Sequence, residues 1–473
     1  MHRGETTPDP MADSIPALSP IDNIPYELLE KIMLLVVISR ASDFTRISPS
    51  QSLVLCCICQ RWRQVALATP RLWAEATFPI FSGRKEDILP ITELFLERSA
   101  PLPIAVDFIT SQERAVFPIM VSVVHRWRSL DIPEPRGMFD SASLATIAAC
   151  SLENLETLRL AEGLFFHLDP IMDAFRRAPR LHDVSLEPWH RSPPPRFVLP
   201  WAQLTRLTIT YMTPEYCLDT LIHCKNLVSA RIVTCQWHVR MPYTRPPNAR
   251  PSVLKFMENL DISMKIRSTD EHLGPFLERL EFPALKSLTL GLSLDVCSWD
   301  GVEPEWFVSW LAPTLISSLA RSPKLDSLTL IDCVFAVDVY GILQHTPWLT
   351  RLHFVPSDTD VVDDDFFFDL QYDAAVPLAP KLETLELIDV GVNFAEESFV
   401  DLIESRWWSD NGLGGILPSP PDVARLKRVQ LHNRRLPRKE FSELSREKME
   451  LYRSQGLDLV YELQGSTTTT TVM

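Results

Sequence analysis

A short leucine pattern recurs along most of the chain and constrains the fold more than any other feature of the sequence. Its form is Leu-x-x-[Leu/Val/Ala]-x-[Leu/Ile/Phe], and successive copies begin 23 to 44 residues apart. A period in this range predicts stacked structural repeats, in which each unit buries its apolar face against its neighbours. Clear copies begin at Leu155, Leu181, Leu204, Leu227, Leu285, Leu325, Leu349, Leu382 and Leu426, and weaker copies begin at Trp127 and Met257.

The spacing of the three apolar positions predicts a turn followed by a short strand. On an α-helix the third position would lie about 140° from the first, so the three side chains would not share a face. On a strand, the second and third positions point to the same side of the sheet. The pattern resembles the leucine-rich repeat, which implies one strand of a parallel sheet per repeat and a return through a helix. The predicted fold class is α/β: a small all-α, three-helix domain followed, over 79–460, by an irregular leucine-rich-repeat solenoid with a parallel concave sheet and helices on the convex side.

Proline is abundant and glycine is scarce, with 39 and 14 residues respectively. Because proline cannot continue a helix and restricts the residue before it, a proline just before a repeat is expected to end a helix and start the strand. Asp-Pro at 169–170 and Thr-Pro at 213–214 match N-cap and first-turn preferences, which predicts helices over 171–178 and 215–224. The prolines two residues before the first Leu of a repeat are Pro179, Pro283, Pro323, Pro347 and Pro380.

Composition and charge exclude several classes of function. The sequence contains no glycine-rich phosphate loop, nucleophile elbow or His-Glu-x-x-His zinc motif. A net charge of −15 disfavours a nucleic-acid partner, whose phosphates would need neutralising. The apolar stretch from Ile32 to Ile38 is too short to cross a bilayer. With nine cysteines and no signal-peptide pattern, we expect reduced thiols in a soluble protein of the cytoplasm or nucleus, with no cofactor and no membrane partner.

The cysteines and aspartates do not form a recognisable metal motif. The group from Cys56 to Cys59 lacks a second pair at zinc spacing, and the wider group from Cys217 to His238 has gaps unlike those of compact zinc sites. The aspartates between Asp358 and Asp369 flank three phenylalanines but lack the order of a calcium loop, so this segment is predicted to be a solvated loop. No metal site is predicted.

The N-terminal block predicts a small helical domain. It follows a leader rich in Pro, Ser and Asp over 1–20, which is predicted to be disordered. Asn23 and Pro25 match the start of a helix, and apolar residues follow at helical spacing. A polar insert separates this helix from a second one predicted over Leu53 to Ala66, and a Pro-Arg-Leu-Trp turn at 70–73 closes the block.

Three submotifs of this block resemble the F-box: IPYELLEKI at 24–32, ICQRWRQVA at 58–66 and PRLW at 70–73. The departures are Ile24 in place of the usual Leu, Gln60 in place of a basic residue, and the long insert between the helices. The resemblance implies that residues 21–78 dock onto the Skp-type adaptor of a cullin-RING ubiquitin ligase and carry no catalytic group. The residues implied to bind the adaptor are Ile24, Pro25, Glu27, Leu28, Leu29, Ile32, Leu53, Trp62, Leu72 and Trp73.

The same apolar residues could instead close a small three-helix cap. An adaptor-binding patch and a packed core use the same side-chain types, so composition leaves both interpretations open.

Residues between the framework positions of each strand are predicted to point to the concave face. Such a mixed polar surface suits recognition of a protein better than of a small molecule, although solvation alone also accounts for any single member. The residues are Arg159, Asp183, Arg206, Arg231, His353, Glu386, Arg428 and Gln430.

The two parts together predict a substrate-recognition subunit of an SCF-type cullin-RING ubiquitin ligase. The F-box would hold the adaptor, the repeats would hold an unidentified target protein, and ubiquitin transfer would be accelerated by proximity. The alternatives are an interaction scaffold that binds the adaptor without ubiquitylation, a repeat protein with no ligase role, and an enzyme, for which no nucleophile and base occur in register. A low-complexity tail over 461–473 is predicted to be disordered.

Overall fold

A computed structural model describes the chain as two compact units. One unit comprises residues up to 108 together with 112–129, and the other comprises 109–111 and the residues from 130 onward. The predicted leader, and the predicted tail beyond residue 462, lie outside the described residues. The described residues are 23–38, 50–75, 77–78, 88–108, 115–132, 141–161, 171–187, 196–234, 251–266, 277–294, 315–333, 336–356, 361–372, 377–407, 423–432 and 441–462.

The described chain begins with four helices and continues with both strands and helices. The α-helices are α1 (Tyr26–Ile38), α2 (Ser50–Ile58), α3 (Gln60–Ala68), α4 (Pro70–Ala74), α5 (Ile88–Ser99), α6 (Phe117–Ser122), α7 (Ser141–Ala148), α8 (Pro214–His223), α9 (Ala336–His345), α10 (Asp364–Leu370), α11 (Glu396–Arg406) and α12 (Glu443–Ser454). The strands are β1 (Thr77–Phe78), β2 (Ile104–Asp107), β3 (Trp127–Ile132), β4 (Thr157–Ala161), β5 (Ile171–Met172), β6 (Asp183–Glu187), β7 (Arg196–Phe197), β8 (Arg206–Thr210), β9 (Ser229–Thr234), β10 (Ser252–Val253), β11 (Asn259–Ile266), β12 (Leu280–Glu281), β13 (Ser287–Leu294), β14 (Ser327–Cys333), β15 (Arg351–Pro356), β16 (Thr384–Ile388), β17 (Arg428–His432) and β18 (Asp458–Glu462).

The first unit is built around short helices that share one core. Leu29, Met33 and Val37 follow one face of α1 at helical spacing and are fully buried. The helix contacts α2, α3 and α4. The indole Nε1–H of Trp73 on α4 donates a hydrogen bond to the backbone carbonyl of Ala66 on α3 at 2.8 Å. Apolar packing and this buried bond therefore hold the helices together.

The second predicted helix is in fact two helices. Cys59 has an extended backbone, with φ −157° and ψ 172°, and separates α2 from α3. Its Sγ accepts a hydrogen bond from the backbone N–H of Trp62 at 3.5 Å and so caps the start of α3. The prediction of one continuous helix from Leu53 to Ala66 is wrong at this residue, because the side chain offers the backbone a local cap.

The second unit contains a parallel sheet to which successive repeats contribute strands. Within the described residues, eleven of its strands follow the order β4-β6-β8-β9-β11-β13-β14-β15-β16-β17-β18. All ten pairings between neighbours in this order are parallel. Spatial order follows chain order, as expected when each repeat stacks on the previous one. The predicted α/β solenoid with a parallel sheet is confirmed.

Two rows of apolar side chains run across this sheet and form the core of the second unit. Each row is made of residues in direct register, so every framework side chain packs against its counterparts in the neighbouring repeats. Buried members of one row are Leu158, Val184, Leu207, Ala230, Leu260, Leu288, Leu328, Leu352, Leu385 and Val429. Buried members of the other are Leu160, Leu186, Ile209, Ile232, Ile262, Leu290, Leu330, Phe354, Leu387 and Leu431.

The recurrent prolines occupy tight turns that lead into the strands. The backbone N–H of Leu181 donates to the carbonyl of Ala178 at 3.3 Å, with Pro179 at the second position of the turn. The same bond precedes the strands at Leu285, Leu325, Leu349 and Leu382. The fixed φ of proline suits this position. A helix ends shortly before Pro347, but only turns precede Pro179, so the prediction that each proline stops a helix is wrong in part.

One of the two helices predicted from a Pro pair forms and the other does not. Thr213 Oγ1 accepts a hydrogen bond from the N–H of Tyr216 at 3.4 Å and caps α8, which confirms the helix predicted over 215–224. The segment 171–178 forms β5 and turns instead, and β5 pairs with β7. A helix this short has little stability of its own, so the tertiary pairing decides.

The acidic segment around three phenylalanines is a helix, α10, and not the predicted solvated loop. Asp363 Oδ1 accepts a hydrogen bond from the N–H of Phe366 at 3.0 Å and starts the helix. Phe366 and Phe367 are buried, while Phe368 is 69% exposed. Consecutive residues on a helix point about 100° apart, so one of three adjacent aromatic side chains faces outward.

Candidate docking surfaces

The first unit exposes apolar side chains on α1 and α2. The members of this set, called the apolar stripe, are each 37% to 66% exposed. They are Leu28, Ile32, Leu35 and Val36 of α1 and Leu53, Val54 and Ile58 of α2. The four on α1 recur at helical spacing, and α1 packs against α2. A concentration of exposed apolar residues in so small a unit marks an interaction surface.

The start of α1 is held by polar contacts within the first unit. The carbonyl of Ile24 accepts a hydrogen bond from the guanidinium of Arg61 on α3. The carbonyl of Pro25 accepts from the backbone N–H groups of Leu28 at 3.1 Å and Leu29 at 3.0 Å. These bonds fix the helix that carries most of the apolar stripe.

The structure divides the residues implied to bind the adaptor into two groups. Ile24 is half-buried, and the exposed members are Pro25, Glu27, Leu28, Ile32 and Leu53. The remaining members, Leu29, Trp62, Leu72 and Trp73, are at most 9% exposed. We correct the assignment of these four from surface contacts to core, because the other helices of the unit already cover them.

Sequence reasoning missed four exposed apolar residues: Leu35, Val36, Val54 and Ile58. The signal that could have found those on α1 is its second apolar stripe. A helix that packs one face on a core needs apolar residues on that face alone, so a second stripe indicates a second surface.

The eight residues predicted for the concave face lie in two groups on strands of the second unit. The first group lies on β4, β6, β8 and β9, and the second lies on β15, β16 and β17. The strands β11, β13 and β14 stand between them, which separates β9 from β15 by about 19 Å at the usual strand spacing. We call the exposed side of these strands the sheet face.

Ion pairs orient the first group. Arg206 Nε lies 2.9 Å from Asp183 Oδ2 on the adjacent strand. Arg159 Nε lies 3.2 Å from Glu187 Oε1. Each partner is at least partly exposed, and pairs of this kind contribute about 0 to 1 kcal/mol. They therefore position side chains on the surface more than they stabilise the fold.

Arg231 also forms an ion pair with a residue that the sequence prediction did not include. Its Nε lies 3.3 Å from Asp261 Oδ2. Burial raises the pKa of the Asp261 carboxyl, while the charge of Arg231 and the hydroxyl of Ser263 oppose that shift. The ion pair with Asp261 therefore orients the side chain of Arg231 toward the adjacent strand, β11.

The second group converges on Glu386. Its Oε2 lies 2.9 Å from His353 Nδ1, and its Oε1 lies 3.3 Å from Arg428 Nε. Arg428 also reaches Asp458 at 3.5 Å, and Gln430 stands next to Glu386 in the strand register. The structure therefore brings all four predicted residues of this group together, with donors and acceptors side by side.

Small residues lie on two of the strands between the two groups, β13 and β14. Ser287 and Thr289 on β13 are in register with Ser327 and Thr329 on β14, and Gly291 is in register with Ile331. A Cβ added at Gly291 would lie 3.1 Å from the Oγ of Ser263, so the strand packs closely there.

The described residues do not assemble a metal centre. No group of three or more His, Cys, Asp or Glu within them is placed to hold an ion. Cys217 and Cys224 are buried, and burial raises the pKa of the Cys224 thiol to about 12. Cys235 and His238 lie outside the described residues. Among the helices that the structure describes, none combines the length and apolar character needed to cross a membrane.

The repeats, the parallel sheet and its polar face define a solenoid of the leucine-rich-repeat type, preceded in the chain by a small helical unit. No family model matches the chain, and no curated protein matches it. Among solved structures, a yeast complex of Rad7 and Elc1 is similar at 14% identity, over 96% of this chain and 87% of that chain, with a TM-score of 0.37. A Bacteroides fragilis protein is similar at 12% identity, over 56% of this chain and 67% of that chain, with a TM-score of 0.26. Neither likeness bears on what this chain binds.

Proposed function

We propose that this chain is a non-catalytic substrate-recognition subunit of an SCF-type cullin-RING ubiquitin ligase. The apolar stripe binds the Skp-type adaptor, and the sheet face binds a target protein. The observation that carries the proposal is the apolar stripe, which lies in the block whose submotifs resemble the F-box. Covering exposed apolar area contributes about 25 cal/mol per Å², so a partner that buries the stripe gains a substantial part of its binding free energy there.

Charges on the stripe are expected to abolish adaptor binding. The variant is the double substitution Leu28→Asp and Leu35→Asp, two exposed positions one heptad apart on α1. Burying two unpaired carboxylates in an apolar interface costs several kcal/mol, so we expect the dissociation constant to rise by at least about 100-fold. Co-purification with recombinant Skp-type adaptor, followed by titration calorimetry, measures it.

The chain offers a closely matched control on another helix. Leu451 and Leu444 on α12 are 53% and 67% exposed, against 50% and 66% for Leu28 and Leu35. The double substitution of these two residues with Asp should retain wild-type affinity. A wild-type chain that fails to bind the adaptor, or a stripe variant that binds as tightly as the α12 variant, would show the adaptor assignment to be wrong.

The polar groups of the sheet face support the target-binding half of the proposal. They are at least partly exposed, and ion pairs with neighbours orient them on strands of one sheet, which suits an extended protein surface more than an enclosed small ligand. The group around Glu386 offers a carboxylate, a guanidinium, an imidazole and an amide within a few ångströms.

Removing that group is expected to release the target and leave adaptor binding intact. The triple variant is His353→Ala, Glu386→Ala and Arg428→Ala. All three side chains are partly exposed in the wild type, so their removal should leave the fold intact. Proximity labelling in cells, followed by reconstituted ubiquitylation of the labelled proteins, should show selective loss of a wild-type target.

The matched control removes an exposed ion pair elsewhere, between Lys448 and Glu404 at 3.2 Å. The double alanine variant of that pair should keep the target. Identical labelling by the wild type, the triple variant and this control would remove the sheet face from the proposal. Adaptor binding without ubiquitylation of any target would instead indicate a scaffold.

A further inference from the structure

A groove on the second unit is independent of both surfaces above. It lies where α9, α10 and the chain segments that follow α10 meet, and its volume is about 570 Å³. Its walls include the aromatic rings of Tyr340, Phe368 and Tyr372 and the proline rings of Pro347 and Pro377. None of the residues that line the groove belongs to the apolar stripe or to the sheet face.

The aromatic walls are unusually open to solvent for their size. Phe368 is 69% exposed and Tyr340 is 40% exposed, although Phe366 and Phe367 on the same helix are buried. The ring of Phe367 packs edge-on against the rings of Phe394 and Phe399 in the core. Phe368 is therefore not needed to fill that core, and its ring is available to a ligand.

The groove has an acidic lip. Asp369 lines it, next to Phe368. Burial is the main cause that raises the pKa of the Asp369 carboxyl, and the carboxylates of Asp365 and Asp363 raise it further. A ligand with a positive charge at this position would relieve the repulsion between these carboxylates. The described residues hold no acidic cluster suited to a metal ion, so an organic cation fits the lip better.

The groove also offers hydrogen-bond donors. The side-chain amides of Gln344 and Gln371 line it and can donate to carbonyl oxygens. A polyproline II peptide has no internal hydrogen bonds and leaves its backbone carbonyls free. Aromatic-lined grooves bind such peptides because flat rings accept the pyrrolidine faces of a preformed, stiff chain.

We propose that this groove binds a proline-rich peptide that carries an arginine or lysine, supplied by a partner protein. The proline faces pack on Tyr340, Phe368 and Tyr372, the amides bind the peptide carbonyls, and the basic side chain meets Asp369. The site needs neither the adaptor nor the sheet face, so the failure of one proposal leaves the other standing.

The test is a titration of the full chain into a fluorescein-labelled peptide, Ala-Pro-Pro-Leu-Pro-Pro-Arg-Ala, followed by fluorescence anisotropy. We expect a dissociation constant below about 100 µM, in the range of modest peptide recognition. Phe368→Ala should weaken binding at least about tenfold, as the loss of one aromatic contact predicts. Asp369→Lys should weaken it about tenfold at low salt and less at high salt.

Matched variants and peptides make the result specific. Phe256→Ala removes another exposed aromatic ring, at 54% exposure, and Glu447→Lys reverses another exposed charge; both should bind within about twofold of wild type. A peptide with every proline replaced by alanine, and one with arginine replaced by glutamate, should bind at least about tenfold more weakly. The proposal is overturned if the wild type does not bind, if the proline-free peptide binds equally well, or if Phe368→Ala leaves the affinity unchanged.

Discussion

Replacing Trp73 with alanine is expected to destabilise the first unit by about 4 kcal/mol. The side chain is 1% exposed, and its ring meets Phe95 edge-on with centroids 4.9 Å apart. The guanidinium of Arg98, a residue of α5, lies 4.7 Å from the centroid of the Trp73 ring. Truncation would leave a large cavity and remove the indole donor from the carbonyl of Ala66, which would keep only its bond from the backbone N–H of Thr69 at 3.3 Å. Hydrogen exchange resolved by mass spectrometry measures the loss within that unit.

Two further variants separate the contributions at this position. Trp73→Phe keeps most of the ring but loses the hydrogen bond, so we expect a smaller loss of about 1 to 2 kcal/mol. Leu89→Ala on α5, at 39% exposure, should change stability by less than about 1 kcal/mol. If Trp73→Ala abolished adaptor binding while exchange in α1 and α3 stayed at the wild-type rate, Trp73 would belong to the docking surface and our assignment to the core would fail.

Replacing Arg406 with alanine is expected to destabilise the second unit by about 3 to 4 kcal/mol. Arg406 ends α11 and is fully buried. Its Nη1 donates to the carbonyl of Ala379 at 3.1 Å, and its Nη2 donates to the carbonyl of Leu378. Its own carbonyl accepts the N–H of Leu426 at 3.1 Å. The residue thus joins the helix to the segments that lead into β16 and β17.

The cost arises from the loss of the guanidinium donors to the buried carbonyls of Leu378 and Ala379 and not from charge, and Ala379 keeps only its bond from the backbone N–H of Leu382. Burial lowers the pKa of the Arg406 guanidinium to about 10, so the group still carries its proton at neutral pH. Arg406→Met keeps most of the buried volume but none of the donors, and it should lose nearly as much stability as the alanine variant. Lys448→Ala, which removes an exposed cation of the same unit, should cost less than about 1 kcal/mol. Denaturant unfolding followed by exchange in β16 and β17 distinguishes these outcomes, and a wild-type exchange rate in Arg406→Met would refute the role of the donors.

The repeat architecture was predictable because it depends on local spacing. Apolar residues three and five positions after a framework Leu share a strand face wherever the chain is extended, so the sequence located nearly every strand of the sheet. The leucine pattern did not predict β18, because Gly456 stands at the first framework position of that repeat. Gly456 has φ +104°, a conformation that favours glycine, and its N–H bonds to the carbonyl of Arg453 as α12 ends. The end of the helix therefore decided the residue type there, and the leucine pattern was lost.

The polar face was predictable in membership but not in arrangement. Alternation along each strand placed Arg159 and Glu386 outside the core. Their partners depend on register between strands that lie more than 20 residues apart in the chain, as do Asp261 beside Arg231 and His353 beside Glu386. Such contacts follow from stacking, which the sequence of one repeat does not contain.

The sequence by itself determined the class of fold and the turns that enter the strands, because each depends on spacing over a few residues. Tertiary structure alone decided which apolar residues are core and which are surface. Leu28 and Leu29 are adjacent, identical in chemistry and part of the same motif, yet they are 50% and 0% exposed. A helix turns by about 100° per residue, and only the packing of its neighbours selects the direction that they cover.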